Sequence, residues 1–600
     1  MHEPTDPEIA ANPALSGALL PALLGTFVIY AINIATYTGT GIPNADDIMR
    51  LVTLRDLLGG QSWFDPVQHR LGLEAGTLMH WSRLVDAPIL GFYALGLMLT
   101  SSAESAETFA QFAWPATTLF IALLGVNLAC NRLRRPQMRI PATIIAAVCF
   151  MTIGIFGPGA LDHHNIQVAL SIWLFALLLP STDGNAAAHA GAGVIAVIML
   201  AVGMETLPYV TVAGLWVATA FLIGIVAPAS VFAFGLSFAV SSIALLFLTV
   251  DPAHYFAEYC DAYSLFHLGM CSAGGFGLAI ASRFSSTTLA RASGLVATAL
   301  VVGATLLIAF PQCLTNPLSL LDPLLVEFWL EGVVETRSIT DLWASDPFAL
   351  FGMFGMALTG LMASLFLLTA RSSATRGFAL LSAALLVVAI GVTAWQQRGS
   401  MFAASFAILP LAYVVADLRQ RYLQTESVGA LLKMVGIGVL SFNMLWWIVG
   451  ANAAKLFSDA PTLQQQAANA SARDYCYTED VYVALASQPA GVVLGATDMG
   501  ASVLQFTHHR ALAGPYHRNT GGNLVMIQTM LATPEKAEDI ARKAGVTLIA
   551  DCINSVDARD FKRASPDGLQ AALHAGRIPA WLQRVEETAD GPLVLYRVRN

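Results

Sequence analysis

The sequence predicts an α-helical polytopic membrane protein of about thirteen transmembrane helices, followed by a C-terminal α/β domain on the outer side of the membrane. Three observations predict it. Hydrophobic residues make up 56% of the 600 and charged residues only 12%, whereas about a quarter of a soluble globule is charged. Apolar runs of roughly 16 to 22 residues, the length that crosses a bilayer core, recur over the first three quarters of the chain. From about residue 452 charges become frequent and the runs shrink.

In chain order the apolar runs lie near 16–36, 110–130, 141–157, 165–180, 187–203, 208–227, 230–250, 263–282, 294–310, 348–370, 377–395, 402–417 and 434–451, each read as one span. PILGFYALGLMLT at 88–100 is apolar but short of a full crossing, so it is read as a helix at the outer interface. Alternating spans place Arg132, Arg134, Arg135, Arg139, Arg283, Arg291, Arg371, Arg376, Arg419, Arg421 and Lys433 on one side. Short cytoplasmic loops collect such charges, which puts the C-terminus outside. The membrane domain is then 1–451, with outer loops at 37–109, 158–164 and 311–347. Without an Ala-x-Ala-like cleavage site, the first span is read as an anchor. The expected location is a bacterial inner membrane with a periplasmic C-terminal domain, because eukaryotic sorting signals are lacking.

In 452–600, strand-like VVLGA, VTLIAD and PLVLYRV alternate with helical TPEKAEDIARKAG, giving an α/β domain. Cys476 with Cys552, and Cys260 with Cys313, would face an oxidising compartment. Each pair is either a disulfide or two free thiols, and spacing alone does not decide. A net charge of -9 argues against nucleic acid as a partner, since that needs a basic face.

On this topology Asp46, Asp47, His80, Asp162, His163, His164, Glu205, Glu335 and Arg398 all fall on the outer side, although six separate loops or span ends supply them. In GPGALDHHNIQ (157–167), Asp162 and His164 are two apart, so an extended loop points both one way and His163 the other. A carboxylate with an imidazole suits Mn, and carboxylates with waters suit Mg. Asp46 and Asp47 cannot both aim at one point, so one is expected to face the metal and the other to orient it or the acceptor. The alternative reading makes Asp162 a helix cap and the histidines interfacial. Glu205 in METLP either orients a ligand or is buried against an arginine.

The order of an acidic pair before an RDLL helix, then HWSRLVD, a short interfacial helix, a basic turn and DHH resembles the catalytic subunit of archaeal and bacterial oligosaccharyltransferase. That subunit belongs to the C-type glycosyltransferase superfamily. The resemblance implies a transferase that uses a polyprenyl-phosphate-linked sugar in the bilayer. It implies a metal site of Asp46 or Asp47 with Asp162, His164 and His80, and it carries the catalytic acid or base to Asp46, Asp47 or Glu335. GVVETRS (332–338) resembles the family's flexible loop and places Glu335 beside the metal or acceptor; a plain loop glutamate is the alternative. Arg398 in WQQRGS resembles the arginine that holds the lipid phosphate, which a guanidinium suits; a snorkelling arginine is the alternative. The family's WWDYG motif is degenerate here, since GATDMG (495–500) keeps only Asp498 and Gly500. The acceptor is therefore expected to be a polysaccharide, lipid or other group, contacted by Asp498, His517 and Arg518, unless HHRALAGPYHRN is only a surface turn. Trp446 and Trp447 are read as packed or lipid-facing.

The chemistry expected is an inverting transfer, with a divalent ion neutralising the leaving phosphate and a carboxylate taking the acceptor's proton. Two rivals remain. A transporter or flippase of lipid-linked glycans would want a midplane site and internal repeats, and a metal-independent polymerase would tolerate loss of Asp162.

Overall fold

The computed structural model describes residues 16–37, 44–179, 185–315, 321–458, 476–588 and 591–599. The chain enters through α1 (Ser16–Thr36), and α2 (Ala45–Leu58) follows in the first polar island. A two-stranded hairpin comes next, with β1 (Val67–Gln68) antiparallel to β2 (Thr77–Leu78). After it run α3 (Arg83–Thr100), α4 (Ala103–Arg132), α5 (Arg139–Ile153), α6 (His164–Leu178), α7 (Ala186–Val202), α8 (Leu207–Leu222), α9 (Pro228–Thr249), α10 (Leu265–Ala281) and α11 (Thr288–Ala304). The short α12 (Pro323–Phe328) and α13 (Ile339–Ser345) lie in the segment expected as a large loop, ahead of α14 (Ala349–Leu367), α15 (Ser373–Trp395), α16 (Ser400–Thr425), α17 (Val428–Leu440) and α18 (Asn443–Phe457).

Among the described residues ten helices are long and apolar enough to cross a membrane, and α17 with α18 forms a further pair bent by 74°. Twelve of the thirteen expected runs each centre on one helical segment, but 434–451 straddles the break between α17 and α18, and α6, α7 and α10 have only 15 to 17 residues. The second run is longer than expected: α4 starts at Ala103 and has 30 residues. Its backbone carbonyls at Gln111 and Phe112 accept from Gly159 N and Tyr30 Oη, so its first turns project beyond the ends of α1 and α6. The segment 88–100 also needs correction, because α3 begins at Arg83 and has 18 residues. Its charged first turn was hidden in the sequence because Asp86 is buried in ion pairs with Arg50 and Arg83. Gly96 of α3 meets Ala106 and Phe109 of α4, and α3 is itself one of the ten helices long and apolar enough to cross. Trp446 and Trp447 are packed: their indoles lie over Gly355 and Gly352 of α14, where no Cβ would fit.

The C-terminal sheet has β3 (Val492–Gly495), β4 (Arg510–Ala511), β5 (Val546–Cys552), β6 (Leu582–Arg584) and β7 (Leu593–Val598) in the order β4-β3-β5-β7-β6. The β3 strand is parallel to β4 and β5, and β7 is antiparallel to β5 and β6. VVLGA, VTLIAD and PLVLYRV supply β3, β5 and β7, and TPEKAEDIARKAG supplies the helix Pro534–Lys543. One apolar cluster of the sheet is built almost wholly from its own domain, with Leu494, Met526, Ile527, Ile549, Phe561 and Val594 in it, and a second one is shared. Ile48, Met49 and Val52 of α2, with Leu71, Met79 and Trp81, share one apolar cluster with Val493, Met499, Val503, Tyr516 and Leu595. Disulfides join Cys260 to Cys313 and Cys476 to Cys552, so both cysteine pairs are bonded.

Candidate functional site

Two helix N-termini build the centre of the site. Asn44 caps α2 by accepting from Asp46 N at 3.1 Å, and the next residue, Asp47, turns to the loop ahead of α6. Its Oδ1 accepts from both Leu161 N and Asp162 N at 2.7 Å. Of the adjacent acids, Asp47 therefore orients the DHH loop, which leaves the Asp46 carboxylate beside it. Asp162, His163 and His164 are all buried. The loop is not extended there: His163 is in the helical region of backbone space and precedes the first residue of α6. His163 consequently does not face away as expected. Its ring contacts Asp162 Oδ1, lies 3.8 Å from Glu205 Oε2 and stands 4.6 Å from the His164 ring.

From His164 a polar chain runs to the start of α16. The His164 Nδ1 to Gln167 Oε1 distance is 3.0 Å, and Gln167 Nε2 donates to Glu205 Oε2 at 2.9 Å. Glu205 Oε1 then accepts from an Arg398 nitrogen at 3.3 Å, and Arg398 Nε donates to Gln396 Oε1 at 2.9 Å. Glu205 is thus buried against an arginine, one of its two expected readings. The turn that carries Glu335 reaches the same place, since Gln397 N donates to the Arg337 carbonyl at 2.9 Å. Glu335 itself is exposed.

The electrostatics are those of crowded acids. Burial and the charge of Asp162 push Asp47 up to about 7, against the two backbone N–H groups and Arg50, which lower it. Asp46 is raised well above the ordinary carboxylate range by burial and by Asp162, Glu335 and Asp47. For Asp162, burial acts upward but His163 and His164 outweigh it, and its carboxyl is held below the usual range. Burial pulls His163 down, yet Asp162 and Glu205 together raise it to about 10. His80 is held well below its ordinary value by burial and by the neighbouring His517 and Arg518.

These residues suit a divalent cation in their chemistry. Asp162 Oδ2 is buried without a hydrogen-bond partner, and His164 Nε2 faces it at 3.3 Å outside hydrogen-bond geometry. Two ligand atoms at that separation form the edge of a coordination shell. The wider set expected from the sequence is not assembled, however: among the described residues no three His, Cys, Asp or Glu side chains come together as a ligand group. The reasons are visible. Asp47 is turned to the backbone of the DHH loop, and the His80 ring stacks 4.5 Å from that of His517.

His517 and Arg518 are engaged by Asp261, with Nε2 of His517 2.7 Å from Oδ2 and Arg518 donating to both carboxylate oxygens at 2.7 and 2.8 Å. Asp498 accepts from Tyr477 Oη at 3.4 Å. Sequence reasoning missed Arg50, Asp86, Gln167, Asp261 and Tyr516. Arg50 is almost wholly buried, pairs with Asp86 at 2.8 Å and lies 4.4 Å from the Trp81 ring, while Tyr516 Oη donates to the Ala45 carbonyl at 3.2 Å. An arginine inside an apolar helix face is the signal that would have found the first pair.

At the other end of the bundle the basic residues gather. Arg132 donates to the Leu177 and Leu179 carbonyls, where α6 ends, and Arg291 donates to the Phe221 carbonyl, where α8 ends. Arg135 stacks 4.0 Å from the Tyr413 ring on α16, the helix that starts next to Arg398.

No protein-family model matches the chain, and no curated protein matches it in sequence. Solved structures do match. The archaeal oligosaccharyltransferase AglB from Archaeoglobus fulgidus, in complex with an inhibitory peptide and a dolichol-phosphate, is similar over 93% of this chain and 72% of its own, with a TM-score of 0.65 at 14% identity. An Archaeoglobus fulgidus oligosaccharyltransferase tethered to an acceptor peptide containing the NVT sequon is similar over 98% of this chain and 74% of its own, with a TM-score of 0.64 at 14% identity. Its complex with Zn and sulfate gives a TM-score of 0.61 over 92% of this chain and 70% of its own, again at 14% identity. Acidic first loop, DHH loop, helix bundle and C-terminal sheet thus follow one another in a chain that shares the fold of the archaeal oligosaccharyltransferase.

Proposed function

We propose that this chain is a membrane glycosyltransferase that moves a sugar or oligosaccharide from a polyprenyl-phosphate-linked donor to a glycan, lipid or protein acceptor on the outer face of the membrane. The observation that carries the reading is the convergence of Asp46, Asp47, Asp162, His164 and Arg398 at one end of the bundle, under the C-terminal sheet. A transferase for lipid-linked sugars needs a phosphate-binding cation and an acceptor base at the membrane surface, and the site offers both kinds of group.

Asp162 and His164 would hold a divalent ion, which would neutralise charge on the leaving lipid phosphate. The protein's own groups do the rest. Asp47 fixes the DHH loop through Leu161 N and Asp162 N. Arg398, about a third exposed beside its partner Glu205, binds a phosphate oxygen of the donor. The Asp46 carboxylate accepts the proton of the acceptor nucleophile, with Glu335 as the other carboxylate on that side. Attack on the face of the anomeric carbon opposite the phosphate inverts it. The solved neighbours hold a dolichol-phosphate and acceptor peptides, one with the NVT sequon. In this chain Ala496 and Thr497 replace the family's paired tryptophans, so the acceptor is one that does not require that sequon pocket.

The topology that goes with this function has residues 1–451 as the membrane unit and 452–600 on the outer face of a bacterial inner membrane. The basic far end supports it, and so do two disulfides near the acidic end.

Mass spectrometry of lipid extracts tests the reading, with cells carrying the wild-type chain, a deletion, and the doubly substituted Asp162→Ala, His164→Ala protein. One polyprenyl-linked sugar should accumulate equally in the deletion and the double variant, and its mass names the donor. A wild-type lipid pool in the double variant would overturn the proposal and favour a transport or structural role.

A further inference from the structure

We propose that Gln167 and Glu205 are positioning residues that tie the histidine of the cation site to the phosphate-binding arginine, with Gly203 as the cradle that admits them; the inference rests on the transferase reading above. Gln167 is fully buried and lies three residues after His164 on α6, so both side chains leave the same helix face. Its amide is polarised from one end. Glu205 is an acceptor, so the Gln167 Nε2 must point to it and Oε1 must turn to His164, as the distances of 2.9 and 3.0 Å record.

The consequence falls on His164. With Oε1 as the partner, Nδ1 carries the proton and the Nε2 lone pair is left to face Asp162 Oδ2, 3.3 Å away. Two acceptors that face each other inside protein repel unless a cation lies between them, so the relay holds His164 in the tautomer that a divalent ion requires. A Gln167 amide flipped the other way would put Nε2 against His164 Nδ1, move the proton to Nε2 and close the site to metal.

The other end of the relay is the accessible one. Glu205 has 16% of its side chain exposed and Arg398 has 30%, so a ligand reaching Arg398 meets the charge that also polarises Gln167. Gly203 makes the arrangement possible. A Cβ at that position would lie 2.3 Å from Gln167 Nε2 and 2.6 Å from Glu205 Oε2. Its backbone is extended (φ −179°), which any residue adopts, so what glycine supplies there is room for the two side-chain ends in their present positions.

The experiment measures Mn²⁺ affinity on the purified full chain, from the free-ion EPR signal, without donor or acceptor. Variants are Asp162→Ala, Gln167→Leu, Gly203→Ala, and the exchanged pair Gln167→Glu with Glu205→Gln. In the exchanged pair the carboxylate moves to α6, where it can accept from His164, and the amide that replaces it at position 205 can hold it there. Asp162→Ala should abolish specific binding; if it does not, the cation site itself is wrong and the transferase reading loses its metal. With that control in place, Gln167→Leu and Gly203→Ala should weaken Mn²⁺ about 10–100-fold, and the exchanged pair should recover to within a few-fold of wild type. Unchanged affinity in Gln167→Leu overturns the relay. Loss without recovery in the exchanged pair overturns it as well, because packing and not proton placement would then explain the loss.

Discussion

Asp47 spends its carboxylate on two backbone amides of another loop, and that single contact joins the acidic pair to the DHH segment. In the absence of a cation Asp47 titrates near 7 and Asp46 above the ordinary range. Both folded values are raised, so these acids hold protons at mildly acidic pH and lose them as pH rises. Metal must displace those protons. We therefore expect Mn²⁺ affinity to increase as pH climbs through about 7, and calorimetry in buffers of different ionisation enthalpy should show proton release on binding at about pH 6.5; a buffer-independent heat would contradict it. Asp162 and His164 were legible in the sequence because they sit at the edges of apolar runs, and Asp46 and Asp47 because an acidic pair opens the polar stretch between two of them. Gln167 and Asp261 were not, because an uncharged amide in a helix and a loop aspartate acquire meaning only from partners that tertiary structure brings in.

At the scale of elements, most helices could be read from hydropathy because a span must be apolar along its whole length. The errors fell where burial replaced apolarity. The α3 helix starts inside the polar island because Arg83, Asp86 and Arg50 neutralise one another, and no pattern of hydrophobic residues signals that. The first turn of α2 is the element on which the site depends, and Asn44 holds its N-terminus. Asn44→Ala should cost ~1 kcal/mol, the usual value of a lost N-cap, and appear as faster hydrogen exchange at the amides of 46–48 with α6 unchanged. Equal protection in both proteins would show that the Asp47 contact alone fixes the turn. Strands β3, β5 and β7 were legible as short β-branched runs, but β4 and β6, of two and three residues, carry too little pattern.

For the molecule as a whole, the sequence divides the chain into an apolar bundle and a mixed region, yet it holds no sign that the two share an apolar cluster. Contacts such as Arg55 to the Gln505 carbonyl and Arg70 to the Leu504 and Thr507 carbonyls join residues more than 430 positions apart, beyond the reach of any local period. The bidentate pair of Arg518 with Asp261 is the other fastening. Burial acts upward on Asp261, but His517 and Arg518 outweigh it and depress its carboxyl. The pair therefore contributes its full stability above about pH 4, the unfolded value, and loses it as pH falls towards the depressed folded value. Asp261→Asn should remove about 2 kcal/mol at pH 7, the scale of a hydrogen-bonded charge pair, and speed proteolysis of the C-terminal domain. If melting temperature and cleavage rate are unchanged, the shared core alone secures the sheet.

Asp261 also follows Cys260, whose disulfide partner is Cys313, and this sets an order of assembly. The loop is covalently complete once residue 313 has left the ribosome and reached an oxidising compartment, while Arg518 lies about 200 residues further on, some 10–40 s of synthesis at ordinary elongation rates. The landing surface for the sheet is in this way made and open to bonding before the sheet exists, so synthesis runs from floor to cover, with β3 to β7 closing over residues made well ahead of them.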